Sequence, residues 1–473
     1  MALGHDGSDD PDALSGPGVS RAAVRDLFLR LLGVAFLIAF VSLGVQVRLL
    51  VGEHGLLPAG AYLATRRGLL DAPTIFWLGH GDATLVAGAT AGAVLSLGLV
   101  FLVAPRWCLV ALWALYLSFV TIGQEFLSFQ WDNLLLESAF FALFVTPGGL
   151  RPRRVPPHPL AVFLMLWLVF RLHVESGAAK LLFGDPTWRD LTAMTTYYET
   201  APLPTWVGWW AHQMPLAAHR AIAAFTYVVE LALPLLLWAP GPMRVVVFAV
   251  LLAFQIGVAL TANYGFFNLL SAALLLFVLD DRHLGVAAVP PPRHRSVPLA
   301  LGTAALVALS VAQFAGVVTR VRAFDPVRRV LEPFRSINAY HLFATMTLVR
   351  REPVIEGSAD GVTWLPYELR YEPGDVDRAP PFVAPHQPRV DFQMWFLLLG
   401  AHPGARWFDA LVDRILHEPA AVAPLFARNP FPDAAPRFVR VAIYRYRFTD
   451  EATRRATGAW WSRELLGTSR PFR

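Results

Sequence analysis

The chain has 473 residues, 55% of them hydrophobic and 16% charged, with a mean hydropathy of +0.47; this is membrane-protein composition, and the length exceeds one ordinary domain. The formal charge of +5 comes from scattered arginines, with no basic stripe interleaved with aromatics, which argues against nucleic-acid binding. The single cysteine, Cys108, leaves no internal disulfide and no CxxC redox chemistry open.

Residues 1–20 are rich in Gly, Asp, Ser and Pro and read as a disordered tail. Arg21, Arg25 and Arg30 precede an apolar run at 31–47. No small-residue cleavage site follows it, so it reads as an uncleaved first span and not as a signal peptide. Apolar runs recur at 83–104, 107–123, 134–147, 160–180, 221–239, 245–260, 265–280 and 298–318. That gives nine candidate spans, near the roughly 20 residues a crossing needs. The run at 134–147 is short and contains Glu137, so a re-entrant segment stays open there. With the N-terminus inside, the short inside loops carry Arg106, then Arg151, Arg153 and Arg154, then Arg244, then Arg282, Arg293 and Arg295, as the positive-inside rule asks. Outside lie 48–82, 124–133, 181–219, 261–264 and everything after 319. This pattern, with no transit or signal peptide, suits a bacterial inner membrane, a cytoplasmic N-terminus and a periplasmic C-terminal domain.

The character changes after Thr319. Tyr367, Leu369 and Tyr371 alternate with Glu368, Arg370 and Glu372, a period-two strand. Asp360-Gly361 is a turn signal, with strand-like runs at 342–349 and 354–356 before it and 364–371 after it. Residues 438–448 (FVRVAIYRYRF) read as another strand, whereas Phe408, Leu411, Val412 and Ile415 have helical spacing. The expected fold is a polytopic α-helical membrane domain over 21–318, with an outward loop at 181–219. A β-rich extramembrane domain of about 150 residues follows over 319–473, with one or two helices.

Ionisable side chains at membrane depth are costly and mark a functional site by default. The run ending near residue 180 carries Arg171, His173, Glu175 and Lys180, and Lys180 is the only lysine in the chain. Arginine keeps its proton in a protein, whereas a desolvated lysine can lose it. The site therefore either uses a titrating amine or holds a lysine that snorkels to the interface. On a helix Arg171 and Glu175 share a face and can pair, and His173, Ser176 and Lys180 lie near another. Pairing with charges on neighbouring spans, for which Glu137, Glu230 and Glu125 are available, is the structural alternative. In the next loop Asp185-Pro186 suits a helix start, Asp as cap and Pro in the first turn. Trp188, Arg189, Asp190 and Glu199 crowd the same loop. Tyr197, Tyr198, Trp206, Trp209 and Trp210 read as an interfacial belt or a partner surface. Asn263, Tyr264 and Asn268 either line a cavity shared with Glu137 and Lys180 or cap helices. The chain has no G-x-S-x-G, Walker, Rossmann or H-E-x-x-H pattern. Its 13 histidines are dispersed, and His54, His80, His212, His219, His341 and His386 read as surface or turn residues, so no metal or cofactor is implied.

The strings GDPTWRDLTAM (184–194), YYETAPLPTW (197–206) and HQMP (212–215) resemble the lipase maturation factor family. So do QEFLSFQWDNLLLE (124–137), NYGFFNLL (263–270), IEGSADGVTWLPYEL (355–369), PHQPRVDFQMWF (385–396), NPFPDAAPRFVR (429–440) and YRYRF (444–448). The resemblance covers nearly all of the chain from the first span onward. It implies a polytopic membrane protein whose animal relatives sit in the endoplasmic reticulum and help secreted lipases fold and assemble. Tyr197 stands where the family usually has His. The thiol-exchange role proposed for animal relatives is beyond a chain with Cys108 alone. Gly177-Ala-Ala-Lys180-Leu, followed by Asp185 and Trp188, is also similar to the membrane domain of the vitamin K-dependent carboxylase, where a lysine in this setting acts as the base on a quinol.

Two functions follow. One is a membrane-embedded maturation or chaperone-like factor that engages membrane lipid and an exported client protein such as a lipase. The other is a membrane enzyme with an outward-facing lipid- or quinone-binding cavity, in which Lys180 is the general base and His173 and Glu137 tune it or shuttle protons.

Overall fold

The computed structural model describes residues 20–152, 154–287, 296–319, 325–399 and 405–473; the tail read at 1–19 and Arg153, Arg293 and Arg295 lie outside them. Seven helices are long and apolar enough to cross a membrane. They are α1 (Ala22–Gly44), α2 (Asp82–Val100), α3 (Pro105–Ile122), α5 (Pro159–Leu182), α6 (Leu216–Leu236), α7 (Pro242–Thr261) and α9 (Val297–Thr319). At 18–24 residues each, they rise roughly 27–36 Å, which matches a hydrocarbon core of about 30 Å. Two further runs of the expected nine form shorter helices, α4 (Gln130–Val145, 16 residues) and α8 (Phe267–Val278). Both fall short of that length, α4 because polar residues from Gln124 to Asn133 occupy its approach. Both still connect the same two ends of the bundle as the longer helices.

One end gathers arginines. Arg21 Nε donates to the carbonyls of Phe277 and Leu279 at 3.0 and 2.9 Å, Arg106 donates to Thr146 O, and Arg244 pairs with Asp280 at 3.2 Å. Asp281 takes the free amides of Ala22, Ala23 and Val24 at 2.8–3.1 Å. It thereby satisfies the first turn of α1, where a carboxylate is favoured.

The other end is covered by the C-terminal region and by 183–215. The latter is no open loop but three short helices, Pro186–Arg189, Met194–Thr200 and Trp206–His212. In the C-terminal region, β1 (Arg350–Ser358), β2 (Leu365–Pro366), β5 (Phe438–Phe448) and β6 (Trp461–Thr468) form an antiparallel sheet in the order β2-β1-β5-β6, while β3 (Glu368–Leu369) pairs with β4 (Phe426–Arg428). Arg350 lies opposite Tyr446, and Ser358 opposite Phe438. Helices α10 (Arg389–Leu397), α11 (Arg406–His417) and α12 (Glu451–Thr457) complete it.

Strand β5 and helix α11 match the sequence periodicities, and Phe408, Leu411, Val412 and Ile415 are buried along α11. The run 342–349 is not a strand: its backbone groups bond to Lys180 of α5 and to Trp188 and Asp185 of 183–215 instead of to a neighbouring strand. The run 364–371 is reduced to the two short pieces β2 and β3. Strand β6 and helices α10 and α12 had no clear periodicity, since seven of the eight β6 residues are exposed and strand alternation needs one covered face.

Candidate functional site

The charged end of α5 is where the C-terminal region meets the bundle. Arg171 Nη1 meets Glu137 of α4 at 2.6 Å. Its Nε meets Glu175 at 2.9 Å, one turn along the same helix, and its Nη2 donates to the Asn338 carbonyl. Glu137 Oε2 accepts from the Asn338 backbone amide at 3.0 Å, from Asn338 Nδ2 at 2.9 Å and from the Tyr340 hydroxyl at 2.8 Å. Glu175 Oε2 accepts from the Tyr340 amide at 2.8 Å. Three buried charges are thus held by one another and by the stretch 338–340, the condition under which buried ions are tolerated. Burial pushes the Tyr340 hydroxyl well above its usual range, and the Glu137 carboxylate adds to this.

Lys180 has its own partners. Its Nζ lies 2.8 Å from Glu230 Oε2, donates to Leu342 O at 2.8 Å, and sits 5.1 Å from the Trp188 ring centre. It is 2% exposed. Two local features bring Glu230 there. Pro234 has no N–H to return to the Glu230 carbonyl, and α6 widens into a π turn over Val228–Ala232. Gly177 lets α6 approach closely: a Cβ there would stand 2.8 Å from Leu231 Cδ2 and 2.9 Å from Glu230 Cβ. His173 does not join this pair: its Nδ1 faces Val169 O at 2.8 Å, and Nε2 has no partner among the described residues.

The contact continues outward. Asp185 caps its short helix through the Thr187 amide at 2.7 Å, and with its other oxygen accepts from the Met346 amide at 2.7 Å. Partial burial works against this carboxylate, but these hydrogen bonds outweigh it and hold it below its usual range. Trp188 Nε1 donates to Phe343 O at 2.9 Å; Arg189 is exposed. Glu199 accepts from the Phe448 amide at 2.7 Å, with its pKa raised by burial against the pull of that bond and of Arg350. Asn263 donates to Leu203 O at 3.1 Å and Pro381 O at 3.0 Å, and accepts from Val383 and Ala384 at 2.7 and 2.9 Å. All four of its hydrogen-bonding positions are filled. Tyr264 and Tyr197 share a hydroxyl contact of 3.1 Å. Tyr198 is buried, which lifts it to about 12. Asn268 lies elsewhere, inside the bundle, donating to Gln255 at 2.9 Å.

Trp209 is fully buried, and only Trp206 and Trp210 keep the exposure of a belt. His219 is buried, not a surface residue, because it packs between Tyr198 and His212. Cys108 is half-buried, its thiol on Val103 O at 3.3 Å. Among the described residues no group of three His, Cys, Asp or Glu side chains is placed to hold a metal.

Several seam residues carried no signal in the sequence. Arg350 is fully buried and donates to the carbonyls of Glu199, Ala201 and Pro202. Arg389 is paired with Asp132 at 2.7 and 2.9 Å. Ser42 and Gln46 hold the backbone at 387–389. Asp132 could have been found as Glu137 was, as an acid beside an apolar run. Asn338, Tyr340 and the arginines of the C-terminal region sit among other polar residues, and nothing local distinguishes them.

Residues 23–286 match the family model of the lipase maturation factor transmembrane domain, and residues 336–471 that of the lipase maturation factor C-terminal domain. Lipase maturation factor 2 of Rattus norvegicus is 33% identical, over 93% of this chain and 82% of the relative. The Gallus gallus protein of the same name is 32% identical, over 93% and 80%. Lipase maturation factor 1 of Bos taurus is 31% identical, over 98% and 93%. No solved structure matches. With both of its folded parts matched and most of each relative covered, this chain is a multi-pass membrane protein that belongs to the lipase maturation factor family.

Proposed function

We propose that this protein is a membrane-embedded maturation factor that helps an exported client, such as a lipase, reach its folded or assembled form. The relatives that align with nearly the whole chain are named for this role, and that observation carries the reading. The seam supports it physically. Arg171, Glu137, Glu175, Lys180, Asp185, Glu199 and Asn263 hold the C-terminal region and 183–215 against the bundle as one rigid platform, of the kind a client-binding surface needs. The gathering of arginines at the opposite end supports a cytoplasmic N-terminus and an extracytoplasmic platform, periplasmic if the source is bacterial.

The donors of Lys180 are engaged by Glu230 and the Leu342 carbonyl, which favours an anchor over a general base acting on a lipid or a quinone-like substrate. The test is a deletion strain complemented with wild type, Lys180→Arg and Lys180→Ala, with secreted lipase amount and activity as readout. Deletion is expected to lower active lipase, and Lys180→Arg to restore most of it. Unchanged lipase on deletion overturns the maturation role. Failure of Lys180→Arg despite normal membrane insertion returns the base reading.

A further inference from the structure

Away from the seam, at the arginine-rich end, a cavity of about 330 Å³ opens between the start of α1, the turn joining α2 to α3 and the segment after α4. Pocket volumes for small ligands run from about 300 to 1,000 Å³, so it suits a headgroup and not a whole lipid. Leu29, Phe101, Leu102 and Val103 form an apolar wall, and Asp26 and Arg151 a polar one. Phe101 is 67% exposed at a span end, where an acyl chain would run.

The charges are unevenly used. Asp26 is neutralised by Arg25 at 2.7 Å and Arg154 at 3.2 Å. Arg30 donates to Val100 O at 2.8 Å and Arg106 to Thr146 O, both next to the cavity wall. Arg151 lines the cavity and makes no hydrogen bond or ion pair among the described residues. An arginine in excess over the local acid, at the level where the spans end, is complementary to phosphate, which its planar fork can grip with two parallel bonds. The turn is also held in an unusual shape: Leu102 and Ala104 have φ of 56° and 46°. Non-glycine residues rarely adopt that region, and such strain collects at ligand sites.

We propose that this cavity binds the headgroup of an anionic phospholipid, with its phosphate on Arg151 and its acyl chain along the exposed Phe101 and Val103. The recognising chemistry, a phosphate monoanion, is shared with free phosphate, and the experiment separates the two. The full-length protein in detergent is titrated with dioleoyl-phosphatidylglycerol, dioleoyl-phosphatidylcholine or inorganic phosphate. Bound lipid is counted by native mass spectrometry and melting is followed in parallel. Phosphatidylglycerol is expected to bind in preference to phosphatidylcholine and to raise the melting temperature. Arg151→Gln should weaken that binding roughly tenfold, the value of one charge-assisted contact, while the exposed Arg48→Gln at the far end leaves it unchanged. Equal binding of the two lipids, or an Arg151→Gln protein that binds like wild type, overturns the site. A melting shift from phosphate alone equal to that from phosphatidylglycerol overturns the lipid.

Discussion

Arg171 and Arg350 are two buried arginines that hold the same seam from opposite sides. Arg171 belongs to the bundle and grips the backbone of the C-terminal region at Asn338. Arg350 belongs to the C-terminal region and grips the backbone of 199–202. Their acids differ. Around Arg171, both oxygens of Glu137 and of Glu175 are engaged. Around Arg350 there is a surplus: Glu352 meets it at 2.5 Å, yet its Oε2 and Glu372 Oε1 have no hydrogen-bond partner among the described residues, and Asp391 stands near Glu372. Burial pushes the Glu352 carboxyl up. Burial, with Glu352 and Asp391 adding their charge, pushes Glu372 well above the usual range. The first anchor is a closed network with no slack, and the second can relax by taking up a proton.

The sharpest way to break this contrast is Glu137→Gln. It keeps the shape but removes the charge, and its single amide oxygen can serve either Arg171 or Asn338 and Tyr340, not both. Breaking a buried pair by removing one partner costs about 3–5 kcal/mol. Thermal unfolding in detergent should fall accordingly, with protease cutting appearing within 336–346. A melting temperature within a degree of wild type would sink the closed-network reading. Arg350→Gln comes next, at about 2–3 kcal/mol at pH 7, for carbonyls left without a charged donor. Unlike Glu137→Gln, it should recover part of this loss as pH is lowered, because the Glu352 carboxyl, already pushed up by burial, can take up a proton; an equal loss across the acid range contradicts the relaxing anchor.

A smaller effect tests the neighbouring lysine. Gly177→Ala places a methyl group 2.9 Å from Glu230 Cβ, which unlike the Leu231 methyl at 2.8 Å cannot swing aside, so α6 must move. Overpacking of this kind costs typically about 1–3 kcal/mol. Because the same shift separates Glu230 from Lys180, the variant should also loosen the Leu342 contact, read as faster amide exchange over 342–346. Unchanged exchange there would mean that the approach of α6 does not set the Lys180 pair.

The two anchors also explain what could be read from the chain beforehand. Arg171, Glu175, Glu137 and Lys180 interrupt apolar runs, where charge is expensive and conspicuous. Arg171 and Glu175 pair as their four-residue spacing predicts. What they face was hidden, because Asn338 and Leu342 contribute backbone groups, which every residue has. Arg350 lies in a polar stretch where an arginine is ordinary, so its complete burial left no local trace. The run 342–349 misled because its apolar residues alternate in sequence, whereas in the fold Ala344 is buried and Leu348 and Val349 are exposed, so the alternation marks no sheet face. The apolar runs mark α4 and α8 as well as the seven longer helices, and the shortness of α4 was already legible in the run at 134–147.

The smallest effect is one of slope. Burial raises Asp391 from its ordinary 3.8 to about 6, against the pull of the Tyr371 amide. A group raised on folding stabilises fully below its unfolded value and loses that contribution as pH climbs through the folded one. Asp391 therefore makes stability fall between about pH 4 and 6, and Glu352 and Glu372 act in the same sense. His212 works against them: burial, with His219 adding to it, lowers it from 6.5 to about 4. The unfolded chain then binds the extra proton, and stability rises with pH over the same window. The net profile hides two opposed slopes that single substitutions expose. Asp391→Asn keeps an acceptor for the Tyr371 amide, 2.8 Å away, and should tilt the melting curve upward with pH relative to wild type. His212→Asn should turn it downward. If both variants keep the wild-type slope from pH 4 to 7, the surplus of acid around Arg350 is not what distinguishes it from the closed network around Arg171.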